Sequence, residues 1–204
     1  NFNPSIQFDG IDDTLVKNSS PLASGNSAEL NVFVVATSNN TISTTILFAL
    51  NEDTTNADRI HGFDNPTQIV WDVGDGKIAD QRIVATSPLP TNVPALSRYV
   101  NSVSNSDQSV ALNGLEVGSD NSALAQTSDV VKLGGGIAAN LDQWRYIGDI
   151  AEFIVYEDDL EAADKQAVES YLATKYGISL DQTTPTDYLA SDGSSVWEAA
   201  ANTG

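Results

Sequence analysis

Over most of its length the chain alternates apolar and polar side chains in twos, between clusters of Ser, Thr, Asn, Asp and Gly. A period of two puts successive side chains on opposite faces of an extended backbone, and the clusters supply the turns between such segments. Strands are read at 5–8, 14–16, 30–36, 45–50, 68–73, 82–85, 97–103, 109–117, 130–133 and 145–156. The runs at 30–36 and 45–50 are the richest in apolar residues, as expected of central strands covered on both faces. Val110 and Leu112 precede Asn113-Gly114, and Leu115 and Val117 come after it. This predicts a tight hairpin, because Asn-Gly tolerates the two positive φ angles that such a turn demands. Trp71 alternates with Ile69 and Val73, which favours the core as its place, with a sugar-binding face beside Asp72 as the other reading.

One segment has a different period. Asp158-Asp159-Leu160-Glu161 has the form of a capping box; Val168, Tyr171, Leu172 and Tyr176 recur at helical spacing, and Gly177 is a fitting stop. A single helix of about four to five turns is predicted, docked on an edge or convex face through Tyr171, Leu172 and Tyr176. From Asp181-Gln182-Thr183-Thr184-Pro185 onward the chain is linker-like. Residues 1–180 are thus read as one domain, and 181–204 as a linker or additional strand leading to the next. The fold class is all-β: a two-sheet antiparallel sandwich of jelly-roll type with one C-terminal helix. The opening Asn1-Phe2-Asn3-Pro4, without methionine, reads as a domain of a longer polypeptide whose partners include its neighbouring domains.

Composition narrows the chemistry. With 41% hydrophobic residues in 204, a core can be built without staples. The absence of cysteine removes disulfides, thiolate catalysis, iron–sulfur clusters and cysteine zinc sites together. A single histidine, His61, argues against zinc and haem. Nine basic against 28 acidic side chains give a net charge of −19, which repels phosphate backbones and anionic lipid, so nucleic acid is not expected as a partner. No apolar run reaches spanning length, so no membrane insertion is expected. Such acidity suits a saline or calcium-rich exterior, outside the cell or at its surface, and equally serves solubility alone.

Five blocks carry a family resemblance. Asn3-Pro4-Ser5-Ile6-Gln7-Phe8-Asp9-Gly10-Ile11-Asp12-Asp13 resembles the opening strand-turn of bacterial concanavalin A-like, laminin-G-like domains. Leu112-Asn113-Gly114 resembles their hairpin, Leu133-Gly134-Gly135-Gly136 their L-G-G stretch, and Gly148-Asp149-Ile150-Ala151-Glu152 their closing G-D-I-A-E strand. The run from Glu169 through Tyr171-Leu172-Ala173 to Lys175-Tyr176-Gly177 is similar to their E-x-Y-L-A-x-K-Y-G helix. Trp71-Asp72-Val73-Gly74-Asp75 with Arg82 also resembles such modules in large bacterial surface proteins. Tyr188-Leu189 with Val196-Trp197 resembles the segment that succeeds these modules in secreted adhesins. The resemblance implies a non-catalytic recognition module of an adhesin or other exported protein, with glycans or cell-surface ligands as partners.

Two chemistries have candidate residues. Asp9, Asp12 and Asp13 crowd one short turn, a density of oxygens that suits calcium as cofactor, although Asp in a turn also bonds its own backbone. The family places the strand bearing Asp149 and Glu152 near this opening strand, which adds both to the candidate set. Sugar binding needs a flat aromatic face and a few polar groups. Trp144 in the loop before the last strand, with Arg145, Asp72, Asn65 and Arg59, offers these; a lid over the core edge is the other reading of Trp144. Glycoside hydrolysis is the enzymatic rival on this sandwich, through an E-x-D-x-x-E strand. Here Ile147 stands where the first carboxylate belongs, and Asp149 and Glu152, an odd number apart, should point to opposite faces. The expected function is therefore a non-catalytic, extracellular carbohydrate-binding or adhesion module stabilised by calcium, with a ligand-free structural spacer as the alternative.

Overall fold

The computed structural model describes residues 3–51, 59–74, 82–135 and 144–201; Asp75 and Gly136 of the motifs above lie outside them. Two six-stranded antiparallel sheets face each other. With strands numbered in chain order, the first sheet runs β1 (Ile6–Asp9), β12 (Ile147–Tyr156), β3 (Glu29–Ser38), β8 (Ala95–Ser102), β9 (Asp107–Leu112), β10 (Leu115–Asp120). The second runs β2 (Leu15–Lys17), β11 (Val131–Leu133), β4 (Thr45–Ala49), β5 (Arg59–Asn65), β6 (Gln68–Gly74), β7 (Arg82–Ala85). This is the expected jelly-roll sandwich. The Asn113-Gly114 hairpin joins β9 to β10 with φ of 49° and 83°.

Alternation along each strand builds the layers. On β3, Val32, Val34 and Ala36 enter the core between the sheets, while Phe33 and Val35 point outward into a second cluster. Both faces of this strand are covered, which explains its unbroken apolar run. The central core is aromatic. The Phe48 ring lies 5.8 Å from Trp71, 5.0 Å from Tyr99 and 5.4 Å from Phe153, and Trp71 Nε1 donates to the Val100 carbonyl at 2.8 Å. Trp71 is fully buried with Ile69 and Val73, as its alternation favours.

Strand β5 is absent from the pattern-based expectation. Its sequence, Arg-Ile-His-Gly-Phe-Asp-Asn, sets polar residues on both faces and so hides its period. Gly62 and Asp64 fall on the core side. Asp64 is buried and accepts from Ser38 Oγ at 2.6 Å. Desolvation raises its pKa, against the hydrogen bonds from Ser38 and Asn40 that lower it.

Helix α1 (Ala162–Tyr176) lies on the outer face of the first sheet, with Leu172 and Ala173 against Phe33, Val35 and Leu96. Two helix expectations are corrected. The N-cap is Glu161, without a side-chain cap, and not Asp158, whose carboxylate accepts from the adjacent Asp159 amide at 2.9 Å. Leu160 packs into the outer cluster, so the chain must cross to the helix before it can coil. Tyr171 is 54% exposed and takes no part in the docking. Gly177, at φ 68°, ends the helix in the left-handed conformation and donates its N–H to the Ala173 carbonyl.

The tail forms a small hairpin, β13 (Tyr188–Leu189) and β14 (Ser195–Trp197), that folds onto the helix. Ser170 Oγ accepts from the Leu189 amide at 2.9 Å, Gln166 Nε2 donates to the Asp187 carbonyl at 2.8 Å, and the Tyr188 hydroxyl accepts from the Leu180 amide at 2.8 Å.

Gly62 tests the aromatic core. A Cβ there would come within 2.2 Å of the Phe48 ring, which is fully buried. Gly62→Ala should therefore cost about 1–3 kcal/mol, as overpacked cores do. Thermal unfolding followed by circular dichroism should register a Tm lower by about 2–12 °C.

Candidate functional site

The outer face of the second sheet gathers the chemistry. The register aligns Lys132, Ala49, His61, Asp72 and Arg82 in one row across five strands. A parallel row holds Ile46, Phe63, Val70 and Val84. The first three of these form an apolar cluster on which Trp144 packs, its ring 6.3 Å from Phe63 at 78°. Trp144 is half-buried, has a φ of 61°, and its carbonyl accepts from the Ile46 amide at 2.7 Å. A basic row thus runs beside an aromatic–aliphatic one.

Asp72 sits between two guanidiniums. Arg59 Nη1 donates to Oδ2 at 3.0 Å, while Arg82 forks onto it with Nε to Oδ1 and Nη2 to Oδ2, both at 2.6 Å. The hydrogen bonds to Asp72 are the largest cause raising the pKa of Arg82 above its ordinary value, with burial opposing. Arg59, His61, Asp72 and Lys132 are all buried, whereas the Arg82 side chain keeps 32% of its surface and Val84 47%. Three of the chain's nine Lys and Arg residues, with His61, stand here against one carboxylate among the described residues.

The other predicted ligand-binding residues fall elsewhere. Asn65 closes the β5–β6 hairpin, its side-chain Oδ1 accepting from the Thr67 amide at 3.1 Å and its Nδ2 donating to Thr44 Oγ1 at 2.9 Å. Arg145, next to Trp144, reaches away to the front turn, where Nη1 donates to Thr14 Oγ1 at 2.6 Å and to the Asp12 carbonyl at 3.2 Å.

That turn brings together Asp9, Asp12 and Asp13, with one carboxylate oxygen of each within 4.8 Å of the others and all three exposed. Three converging carboxylates suit a hard divalent cation. They also serve the turn itself, since Asp9 Oδ1 accepts from the Ile11 amide at 2.8 Å and Asp13 Oδ2 from the Asp9 amide at 3.1 Å. Asp149 and Glu152 do not join this group. Asp149 accepts weakly from Ser5 Oγ at 3.4 Å; Glu152 Oε2 accepts from Lys175 Nζ at 2.7 Å and from the Tyr176 hydroxyl at 2.5 Å. A bulge between Ile150 and Glu152 overturns the expectation that these two carboxylates face opposite ways. Asp149 pairs with Thr37 and Glu152 with Val35, so both lie on the helix side of the sheet.

Sequence and structure comparisons bear on this architecture in different ways. Residues 164–204, the helix and tail hairpin, match a family described as Domain of unknown function (DUF8202). No curated protein matches the chain in sequence. The CBM40 domain of the Ruminococcus gnavus IT-sialidase, solved with α2,3-sialyllactose, superposes with a TM-score of 0.62 at 15% identity over 78% of this chain and 91% of that one. A heptameric SAP-like pentraxin from Limulus polyphemus gives 0.59 at 15% identity over 77% of each chain. The NanB sialidase of Streptococcus pneumoniae gives 0.63 at 15% identity, with 78% of this chain matching 26% of that one. The likeness is one of fold. It is a likeness of jelly-roll β-sandwiches, and no helix among the described residues is long and apolar enough to cross a membrane.

The Glu152 contact makes a pH-dependent prediction. Burial works to raise its pKa, but the hydrogen bonds from Lys175 and Tyr176 outweigh it and hold the carboxyl below its ordinary value. A depressed pKa contributes stability above the ordinary carboxylate range that disappears as the pH falls through the lowered value. Glu152→Gln should lower Tm by about 1–4 °C at neutral pH, the scale of a partly exposed pair. Melting curves taken down to about pH 3 should bring variant and parent together.

Proposed function

We propose that this protein is a non-catalytic carbohydrate-binding module that works outside the cell and takes an acidic oligosaccharide on the outer face of its second sheet. The observation that carries this reading is the basic row, ending at the accessible Arg82, beside the apolar row bearing Val84 and Trp144. A sugar carboxylate suits the Arg82 guanidinium, which has donors beyond those given to Asp72. The apolar faces of neighbouring rings suit Val84 and Trp144. Phe63 and β7 are two strands apart, about 10 Å at the usual spacing, so a ligand that uses both ends is an oligosaccharide. The sandwich modules solved with sialyllactose, and the laminin-G-like sequence blocks, support the same reading. Catalysis has no support in β12, where Glu152 is held by Lys175 and Tyr176 and Ile147 occupies the missing acid's place.

Binding to arrayed sialylated, uronate-bearing and neutral glycans tests the proposal. Acidic glycans should bind, and Arg82→Gln and Trp144→Ala should each weaken binding about tenfold, roughly 1.4 kcal/mol, without loss of fold by circular dichroism. Binding that ignores both substitutions, or is confined to neutral sugars, would overturn it. A second reading, a spacer without a ligand, draws on the burial of Arg59, His61, Asp72 and Lys132, which would then be a covered polar layer; silence across the array would favour it.

Calcium at Asp9, Asp12 and Asp13 belongs to the same proposal as a stabiliser of the front turn. Arg145 already supplies one positive charge there. Calcium in place of chelator should raise Tm by several degrees, as mass action requires of a tight site. Asp12→Asn with Asp13→Asn should abolish the rise.

A further inference from the structure

The sandwich covers one face of helix α1 and leaves a groove along its flank. Leu172 and Ala173 face the first sheet. Tyr171, with Val168 at the margin of that same outer cluster, lines a groove of about 650 Å³ together with Ile154, Tyr156 and Leu160 from the chain that leads into the helix and Leu189 from the tail hairpin. That is a ligand-sized space. Its aromatic rims remain open to solvent, Tyr171 by 54% and Tyr156 by 36%. At the entry end of the helix, Asp158, Glu161 and Asp164 are at least partly open to solvent, and the nearby Lys165 is drawn to Asp159 at 3.8 Å. At the far end Lys175 is held by Glu152 at 2.7 Å. The entry end of the groove is therefore its acidic end: Asp164 lines it and Asp158 and Glu161 neighbour the lining residue Leu160 in sequence, whereas Lys175 lines the far end.

We propose that this groove docks a polypeptide segment with aliphatic or aromatic anchors followed by lysine or arginine. The lining is mostly hydrocarbon and ring edge, which suits buried side chains better than hydroxyl-rich sugars. The acidic end selects the charge: cationic side chains beside Asp158, Glu161 and Asp164 are attracted, and the net charge of −19 extends that attraction over the approach. The same charge disfavours a second copy of this chain as occupant, because two such molecules repel. From Asp164 to Lys175 the helix rises about 16 Å, the reach of about five residues of extended chain, so a short segment fills the groove.

Fluorescence anisotropy with two labelled synthetic peptides tests this. One carries a Leu-Ile-Leu-Tyr anchor followed by Lys-Arg-Lys, and its sister ends in Glu-Asp-Glu. The basic peptide should bind and the acidic one should not. Tyr171→Glu, at an exposed position that leaves the fold undisturbed, should weaken binding at least about tenfold. Glu161→Gln with Asp164→Asn should weaken it severalfold and flatten its salt dependence. Equal binding of both peptides, binding indifferent to Tyr171→Glu, or a dimer in sedimentation that Tyr171→Glu dissolves would overturn the proposal. Glycan binding on the opposite face should be unchanged in all these variants, so either proposal can fail alone.

Discussion

The two sheets are locked together by one aromatic knot. Phe48 projects from the second sheet between Trp71 of the same sheet and Tyr99 and Phe153 of the first, and the Trp71 indole spans the core to the Val100 carbonyl. Rings of this size dominate the burial of any core they enter, and edge and tilted contacts fix their orientation. Room for Phe48 exists only because Gly62 has no side chain on the neighbouring strand. Once Trp71 is inward and β6 is paired with β5 and β7, the two-residue period compels Asp72 to face outward opposite His61 and Arg82. The basic row on the outside is therefore a consequence of the knot within. A register slip of one residue would bury the charges and expose the rings.

How much of this the sequence disclosed depends on where the period of two is clean. Val110 to Val117 and Ile69 to Val73 have unmixed alternation, and there strand, turn and inward face are legible. On β5 it is mixed, with Asp64 inward and Phe63 outward, because tertiary partners outrank local pattern: Ser38 and Asn40 satisfy the acid, and Trp144 covers the ring. The bulge at Ile150 leaves no sequence mark at all, yet it turns Asp149 and Glu152 to the same side. Helix onset is displaced for a related reason. Asp158 has the form of a cap, but a carboxylate can equally bond the next amide, and the need to seat Leu160 decides the matter. Of the predicted site, Asp72 and Arg59 are brought together by pairing, whereas the role of Arg82, which completes the ion pair from a third strand, emerges only through the register. The tail's attachment rests on Ser170 and Gln166, polar helix residues whose partners lie beyond any local window.

The distribution of charge gives the molecule its two different outer faces. On the second sheet, among the described residues, cations gather around Asp72; on the helix side of the first sheet, exposed Asp158, Glu161 and Asp164 mark the entry end of the helix. These faces are separated by the thickness of two sheets and the core between them, which stack about 10 Å apart, comparable with a Debye length at physiological ionic strength. Charges bound on one face are thus largely screened from the other. Among the described residues no side chain contributes to both sites, the basic row sitting on β11, β5, β6 and β7 and the groove on β12, α1 and the tail, with Trp144 in the segment that leads into β12. For the two proposed binding events, one on each side, the rigid aromatic core between them gives no reason for one to oppose the other. Coupling would require a change in sheet packing, which the close fit of Phe48 against Gly62 resists.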